Sequence, residues 1–301
     1  MDLDELRAFL AVVEEGSLLG AADRLKLSRA TVRRRLDELE LRTGTTLLLR
    51  SRHGAVPTEA GRILAKRGQT IMLEVDALTA SVREVGSIPS GELRMALPVG
   101  LPLHLAPPLI ALMRAKYPQL VMRVFFSDEP VANLLRGVDV ALCMSVEPPE
   151  GPWLIKQVAP SIRERLLASR DYLERWGVPT SIAELKQHTL LSWEAPYEDP
   201  TLWPTLTGSS FSVSPAFIAT NIHLLRQCVG AGLGIALLPD PPLPPDLNLP
   251  SGALCSVLDG AVGRERALYG VVPRALVDIP RVEAFLTEME AFMGKFHADG
   301  E

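Results

Sequence analysis

Apolar residues early in the chain recur at intervals of three and four, the period of a helix with one buried face. Leu3, Leu6, Phe9, Leu10 and Val13 place a first helix over residues 2–14. Leu18, Leu25, Val32, Leu36 and Leu39 continue the pattern through residues 17–40, broken by a short polar turn, so two more helices are expected there. Ser17 and Ser28 stand at the two starts, where a hydroxyl accepts from an orphan helical N–H. Ala21 and Ala22 are small enough to let the first helix of this pair approach the second closely. Gly44 suits a left-handed residue closing the second. The apolar run 47–50 and the turn residues 51–54 predict a small β-wing. These elements give an all-α winged helix-turn-helix over residues 1–57.

A long helix follows over residues 58–85, in a linker segment 58–86. Leu64, Ile71, Val75, Leu78, Val82 and Val85 are spaced seven, four, three, four and three apart. That spacing is a coiled-coil seam. With little of its own domain to pack on, the helix is expected to meet the same helix of a second subunit. A core helix of the following domain is the alternative reading. Gly86, Pro89 and Gly91 close the segment, and residues 87–91 form a hinge.

Beyond the hinge, strands and helices alternate. Strands are expected at 92–97, 121–126, 138–144, 166–169, 189–193, 211–218, 234–238 and 269–273. Helices are expected at 102–116, 131–136, just before 234, and at 282–296. Such alternation predicts an α/β domain over 92–301 with open, largely parallel sheets. Two lobes are expected, the first from about 92–148 and 266–301, the second from about 160–265. In sheets of this kind a ligand lies at the C-terminal ends of the strands, here between the lobes.

A chain of 301 residues with 47% hydrophobic content can fill more than one core. It has no run of eighteen apolar residues, and its start is charged and amphipathic. Neither a signal peptide nor a membrane span is therefore expected, and the cytoplasm is the expected location. Cys143, Cys228 and Cys255 match no zinc or disulfide spacing and read as packing residues, with a redox-sensing thiol as the alternative.

The net charge of -5 is uneven. Residues 1–90 carry 14 basic and 13 acidic side chains, and the remainder 17 and 23. Residues 24–67 alone carry 12 basic against 4 acidic. Basic charge concentrated on a helix-turn-helix is the footprint of phosphate neutralisation. Arg29, Arg33 and Arg34 point outward from the second helix of the motif, and Arg50 and Arg52 flank the wing. A merely solvated charge run is the alternative.

Gly230, Gly232 and Gly234 invite a dinucleotide reading, but they follow a helix and precede a strand, the reverse of a phosphate loop. His104, His188 and His223 are dispersed among apolar neighbours. No catalytic or metal-binding constellation is visible, so no enzyme, metal or cofactor is expected.

The segments LDELRAFLAVVEEGSLLGAADRLKLS and GTTLLLRSRHGAVPTEAG, followed in order by GELRMALP, SDEPVANLLRGVDVAL and GAGLGIALLPD, resemble the LysR-type transcriptional regulators over essentially the whole chain. The resemblance implies a winged helix-turn-helix, a dimerising linker helix and a periplasmic-binding-protein-like effector domain of two α/β lobes. It implies sequence-specific binding to double-stranded DNA at a promoter dyad, control by a small-molecule effector, and a homotetramer built as a dimer of dimers. RNA polymerase is a further expected partner of an activator, and a membrane is not. A cytosolic small-molecule-binding protein without specific DNA readout is the alternative.

Two departures from the family pattern stand out. The recognition helix of the family begins with Ser, Gln and Pro, and carries a Ser four residues beyond the Gln. Here Ser28 is followed by Arg29 and Ala30, and Arg33 takes the later position. Arginine prefers guanine where glutamine prefers adenine, so a half-site richer in G is expected. Thr31 or Ala30 would meet a thymine methyl, and Arg34 a phosphate. Phosphate contacts by Arg29 and Arg33 are the alternative. The loop after the first effector-domain strand usually carries Ser or Thr; here it is Pro-Val-Gly-Leu-Pro around Gly100. Ser127, Asp128, Ser161, Thr220 and Asn221 remain as polar effector contacts, with Trp193 as a flat apolar wall. Each of the polar ones also reads as a cap or turn residue.

Overall fold

Asp2 starts the chain's first helix with a reciprocal cap. Its carboxylate accepts from Asp4 N at 3.2 Å, and Glu5 reaches back to accept from Asp2 N at 3.1 Å. The structure, a computed structural model, describes residues 2–51, 54–84, 86, 88–101, 106–159, 161–240 and 254–298. It divides into two compact units, one of residues 1–86 with 135–137 and the other of the rest.

The first unit opens with α1 (Leu3–Glu15), α2 (Leu18–Leu25) and α3 (Arg29–Thr43). Ser17 Oγ accepts from Gly20 N and Ser28 Oγ from Thr31 N, each at 3.0 Å, as the two serines predict. Gly44 closes α3 at φ 66°, a left-handed conformation that costs glycine nothing. Leu6, Phe9, Val12, Ala21, Val32, Leu36 and Leu39 form a shared core, with Leu18 and Leu25 packed on its edge. Burial of each large member is worth about 1.5–3 kcal/mol.

The wing is an antiparallel pair, β1 (Leu48–Ser51) and β2 (Gly54–Pro57). It is fixed at both ends. Glu40 Oε1 accepts from Leu47 N at 2.7 Å and Leu48 N at 3.2 Å, and Ala55 N donates to Gly16 O at 2.7 Å.

α4 (Glu59–Glu84) corrects one expectation. Its first half does have its own domain to pack on. Gly61, Ala65, Gly68 and Met72 form a buried face, three of its four residues small. A Cβ on Gly61 would stand 2.1 Å from Leu47 O, and one on Gly68 2.7 Å from Leu6 Cδ1. Leu64, assigned to the seam by its spacing, packs instead against the head core. Ile71, Leu78 and Val82 are 41%, 66% and 69% exposed. Val75 is half-buried, and Val85 lies outside the described residues.

The second unit holds two mixed α/β lobes. The first contains β3 (Gly91–Pro98), α5 (Ala106–Lys116), β4 (Leu120–Ser127), a 3-10 helix (Val131–Arg136), β5 (Val140–Ser145) and β6 (Trp153–Gln157). The second contains β7 (Ile162–Ser169), α6 (Arg170–Trp176), β8 (Leu190–Trp193), the hairpin of β9 (Leu202–Pro204) and β10 (Ser210–Ser212), β11 (Phe217–Ala219), α7 (Ile222–Gly230), β12 (Ile235–Pro239) and β13 (Leu254–Val257). β14 (Glu265–Pro273) then leads to α8 (Pro280–Ala298).

Each lobe has a parallel centre with antiparallel flanks, so the sheets are less purely parallel than expected. β3 lies parallel between β4 and β5, and β8 lies parallel between β11 and β12. β14 spans both lobes. Its first residues pair with β7, with Arg266 opposite Ile162, and its remainder pairs antiparallel with β5 and β6. The second lobe is buried on both faces, as a covered sheet should be. Leu166, Ala168, Ile235 and Leu237 face one cluster, while Leu167, Ala236 and Leu238 face the other.

The strand expected over 211–218 is two strands in different sheets. β10 pairs antiparallel with β9, whereas β11 pairs parallel with β8. Pro215 separates them, and a proline cannot donate to a ladder. The glycine run after α7 is a turn into β12, as its order along the chain requires. Gly232 sits at φ +74°, and a Cβ on Gly234 would stand 2.5 Å from Thr189 O.

Candidate nucleic-acid interface and ligand cleft

The charge excess of the head is redistributed once it folds. Arg24 pairs with Glu14 and Glu15, Arg35 with Asp4 at 2.7 Å, Arg42 with Glu5 at 3.2 Å, and Arg62 with Glu59 at 2.6 Å. Most of those acids lie on α1, before the basic segment, so counting charge by segment overstates the free positive charge. Glu5 is buried and Arg35 is largely covered, which makes both pairs structural ties between α1 and α3.

Three of the five arginines on α3 remain outside that framework. Arg29 is exposed and makes no ion pair among the described residues. The Arg33 and Arg34 side chains are 70% and 65% exposed. Each faces an acid one turn on, Arg33 Nε to Asp37 at 3.8 Å and Arg34 Nη1 to Glu38 at 2.8 Å. Ala30 is exposed between them, while Ser28 and Thr31 are engaged at the helix start, where their hydroxyls lie 2.8 Å apart. Arg50 lies on β1 opposite Ala55. Arg52 lies outside the described residues.

The second candidate site is formed where the parallel strands end. Gly100, two residues past β3, lies against α7 closely enough that a Cβ would meet Ile222 Cγ2 at 3.1 Å. His223 Nε2 lies 3.3 Å from Leu101 O, so the first turn of α7 touches the opposite lobe through two residues. Trp193, at the end of β8, donates from Nε1 to Thr220 O at 3.0 Å. Asn221 Oδ1 accepts from Leu224 N at 3.0 Å and caps α7. Ser127 Oγ accepts from Glu129 N at 3.1 Å and Asn133 Nδ2 at 2.9 Å. Asp128 and Ser161 are exposed. The structure thus brings Trp193, Thr220 and Asn221 together, while Ser127 has the turn role and Asn221 the capping role that their residue types also allow.

A buried charge cluster beside Trp193 escaped sequence reading. Arg266 is 2% exposed, with Nε 2.5 Å from Glu164 Oε1 and Nη2 2.7 Å from Glu198 Oε2. Arg264 bonds the same two acids, reaching Glu164 at 2.8 Å. The Arg266 guanidinium lies 4.9 Å from the Trp193 ring centre, a cation–π contact. Burial alone would raise the Glu198 carboxyl, but the hydrogen bonds and charges of Arg266 and Arg264 outweigh it and hold the group below the usual carboxylate range. The acids and arginines are far apart in sequence, so no local spacing announces the cluster. The only signal is a charged pair, Arg264 and Arg266, where an apolar strand begins.

Two other sequence candidates fall into ordinary roles. Cys143 is buried, and burial pushes its thiol up to about 11, which suits packing rather than thiolate chemistry. Cys228 and Cys255 are half-buried. His188 lies beside Tyr172 with its ring tilted at 48°, the tyrosine hydroxyl 3.4 Å from its Nδ1, and His104 lies outside the described residues. Among the described residues, no three His, Cys, Asp or Glu side chains are placed to hold a metal ion, and no helix is long and apolar enough to cross a membrane.

Residues 3–62 match the bacterial regulatory helix-turn-helix protein, lysR family, and residues 86–294 match the LysR substrate binding domain. An HTH-type transcriptional regulator of Xanthomonas campestris is 30% identical over 95% of this chain and 83% of its own. The HTH-type transcriptional regulator CrgA of Neisseria meningitidis is 33% identical over 79% of each. The full-length structure of the Vibrio cholerae virulence activator AphB superposes with a TM-score of 0.60 at 25% identity, over 97% of this chain and 99% of that one. A capped helix-turn-helix head with outward arginines, joined to two α/β lobes that meet at their strand ends, thus falls within a family of regulators, and the chain belongs to it: it is a LysR-type DNA-binding transcriptional regulator with an effector-binding domain.

Proposed function

We propose that α3 reads the major groove through Arg29 and Arg33, with Arg34 on a phosphate and Ala30 and Thr31 near thymine methyls. The observation that carries this reading is the division of the α3 arginines: Arg35 and Arg42 are committed to α1, while Arg29, Arg33 and Arg34 face outward. Ser28 fixes the helix start, and Arg50 and Arg52 supply backbone contacts from the wing. Because arginine pairs bidentately with guanine O6 and N7, the half-sites are G-rich.

The head, the linker and the two-lobed effector domain take the boundaries 1–57, 58–86 and 92–301. Two copies pair through the exposed stripe of α4, and two such dimers form the tetramer. A two-fold protein pair matches a dyad of half-sites. A small effector occupies the space bounded by Gly100, Ser127, Asp128, Ser161, Trp193, Thr220 and Asn221. With Ser127 engaged in a turn and Asn221 as a cap, Trp193 is its main wall, and a weakly polar or aromatic effector suits that lining. Binding shifts the assembly only through unequal affinity for its states. The protein acts in the cytoplasm, and as an activator it would meet RNA polymerase.

Replacing Arg29 by Ala tests the readout. The variant is expected to lose about 1–3 kcal/mol on the cognate site and to relax its base preference there. Equal weakening on all DNA, measured by anisotropy against operator and shuffled fragments, would show that Arg29 holds a phosphate.

A further inference from the structure

The first turn of α1 does more than cap its own helix. Asp4 and Glu5, adjacent in sequence, reach to Arg35 and Arg42 of α3. Arg35 Nη2 donates to Asp4 Oδ2 at 2.7 Å, and the arginine side chain is largely covered. Glu5 is buried with both oxygens engaged. Its Oε2 accepts from Asp2 N at 3.1 Å, and its Oε1 lies 3.2 Å from Arg42 Nε. A carboxylate taken out of water needs its compensating charge, so this pair binds its arginine more firmly than an exposed one would.

Arg35 and Arg42 stand two turns apart, about 10 Å along the axis of α3. One short stretch of α1 therefore grips the recognition helix at two points of its length. The shared core of Leu6, Phe9, Val32, Leu36 and Leu39 holds the same helices together, but apolar attraction is non-directional. Two ionic ties add the direction: they fix the rotation of α3 about its own axis. A rotation of about 10° moves a side chain about 6 Å from that axis by about 1 Å. A hydrogen bond to a base edge does not survive such a shift, whereas a phosphate contact carries no sequence to lose. α1 is seated in turn on α4, where Gly68 lies against Leu6. The angle of α3 is thereby set against the linker helix as well.

We propose that Asp4 and Glu5 are positioning residues for base readout, fixing through Arg35 and Arg42 the angle at which α3 presents Arg29 and Arg33. This rests on the reading of α3 as the DNA-contacting helix.

The testing variant is Asp4→Asn/Glu5→Gln in the full chain, which removes both charges with little change of shape. Glutamine serves a capping box as glutamate does, so the start of α1 is retained and no charge is left buried. Binding is read by anisotropy on an operator fragment selected from random DNA by the parent protein, and on shuffled DNA. Operator affinity is expected to fall about tenfold, the size of one lost base contact, with shuffled affinity unchanged or higher. Asp23→Asn/Glu59→Gln removes two acids exposed elsewhere on the head. It should shift both affinities alike and leave their ratio unchanged. Arg35→Asp sets two acids face to face and should lower the ratio. Adding Asp4→Arg rebuilds the tie with its charges reversed and should recover it, which a direct DNA contact by Arg35 would not allow.

Three results would overturn the proposal: an unchanged ratio in Asp4→Asn/Glu5→Gln, an equal fall on both DNAs, or no recovery in the reversed pair. Arg33→Ala/Arg34→Ala separates these from failure of the underlying reading. If that variant binds both DNAs like the parent, α3 is not the DNA helix; if it weakens binding while the acid variant keeps its ratio, only the positioning role fails.

Discussion

Replacing Leu78 and Val82 with glutamate is expected to convert the protein to monomers and to lower its affinity for a two-half-site fragment by about 10²- to 10⁴-fold. The size follows from effective concentration, since a second linked head binds as an intramolecular event. Leu78 and Val82 are two-thirds exposed and lie beyond the Gly61–Ala65–Gly68–Met72 face that is buried in the first half of α4. The folded head should therefore survive the change, and affinity for a single half-site should be retained. Light scattering and anisotropy on one- and two-half-site DNA read the two effects separately. An unchanged mass would remove the coiled-coil assignment.

The second large effect is expected at Arg266. Truncation to Ala leaves Glu164 buried at 2% exposure with only Arg264 beside it, and it strips the cation from the Trp193 face. Removing one member of a buried ion pair costs about 3–5 kcal/mol, mostly the burial of the charge left behind. Arg266→Lys should recover only part of this, because a point charge cannot span two carboxylates and stack on an indole together. All four tryptophans, Trp153, Trp176, Trp193 and Trp203, belong to the effector domain, so their fluorescence in a urea titration reports that domain alone. A loss below about 1 kcal/mol would mean that the cluster is no more than a surface-grade salt bridge.

Much of the fold was readable because it is locally encoded. Ser17, Ser28 and Gly44 mark helix ends through backbone chemistry that operates within a few residues, and the structure uses all three as expected. The unbroken apolar runs 166–168 and 235–238 likewise mark strands buried on both faces. What sequence reading missed depends on distant partners. The seam position of Leu64 follows from helical spacing, yet Gly61 lets α4 close on Leu47 and Pro57 at the wing, Gly68 lets it close on α1, and Leu64 packs against the head core. β10 and β11 look like one apolar stretch until their different partners are known.

The candidate sites divide along the same line. Outward arginines on α3 could be picked out from periodicity, but which of them escape the ties to α1 could not. That depended on Asp4 and Glu5 of α1 reaching across to Arg35 and Arg42. The Arg264–Arg266–Glu164–Glu198 cluster assembles β14, β7 and the loop after β8, elements separated by as many as 102 residues. Trp193 could be placed at a strand end from the sequence, whereas the arginine against its ring could not.

The most direct test is anisotropy of the full chain against labelled DNA from the region upstream of its own gene, beside a shuffled fragment, across a salt series. Tighter binding to the native fragment that persists at physiological salt is the predicted result, since base contacts add to the phosphate term without sharing its salt dependence. Equal and steeply salt-sensitive binding to both fragments, with no preferred sequence recovered from random DNA, would contradict base readout by α3.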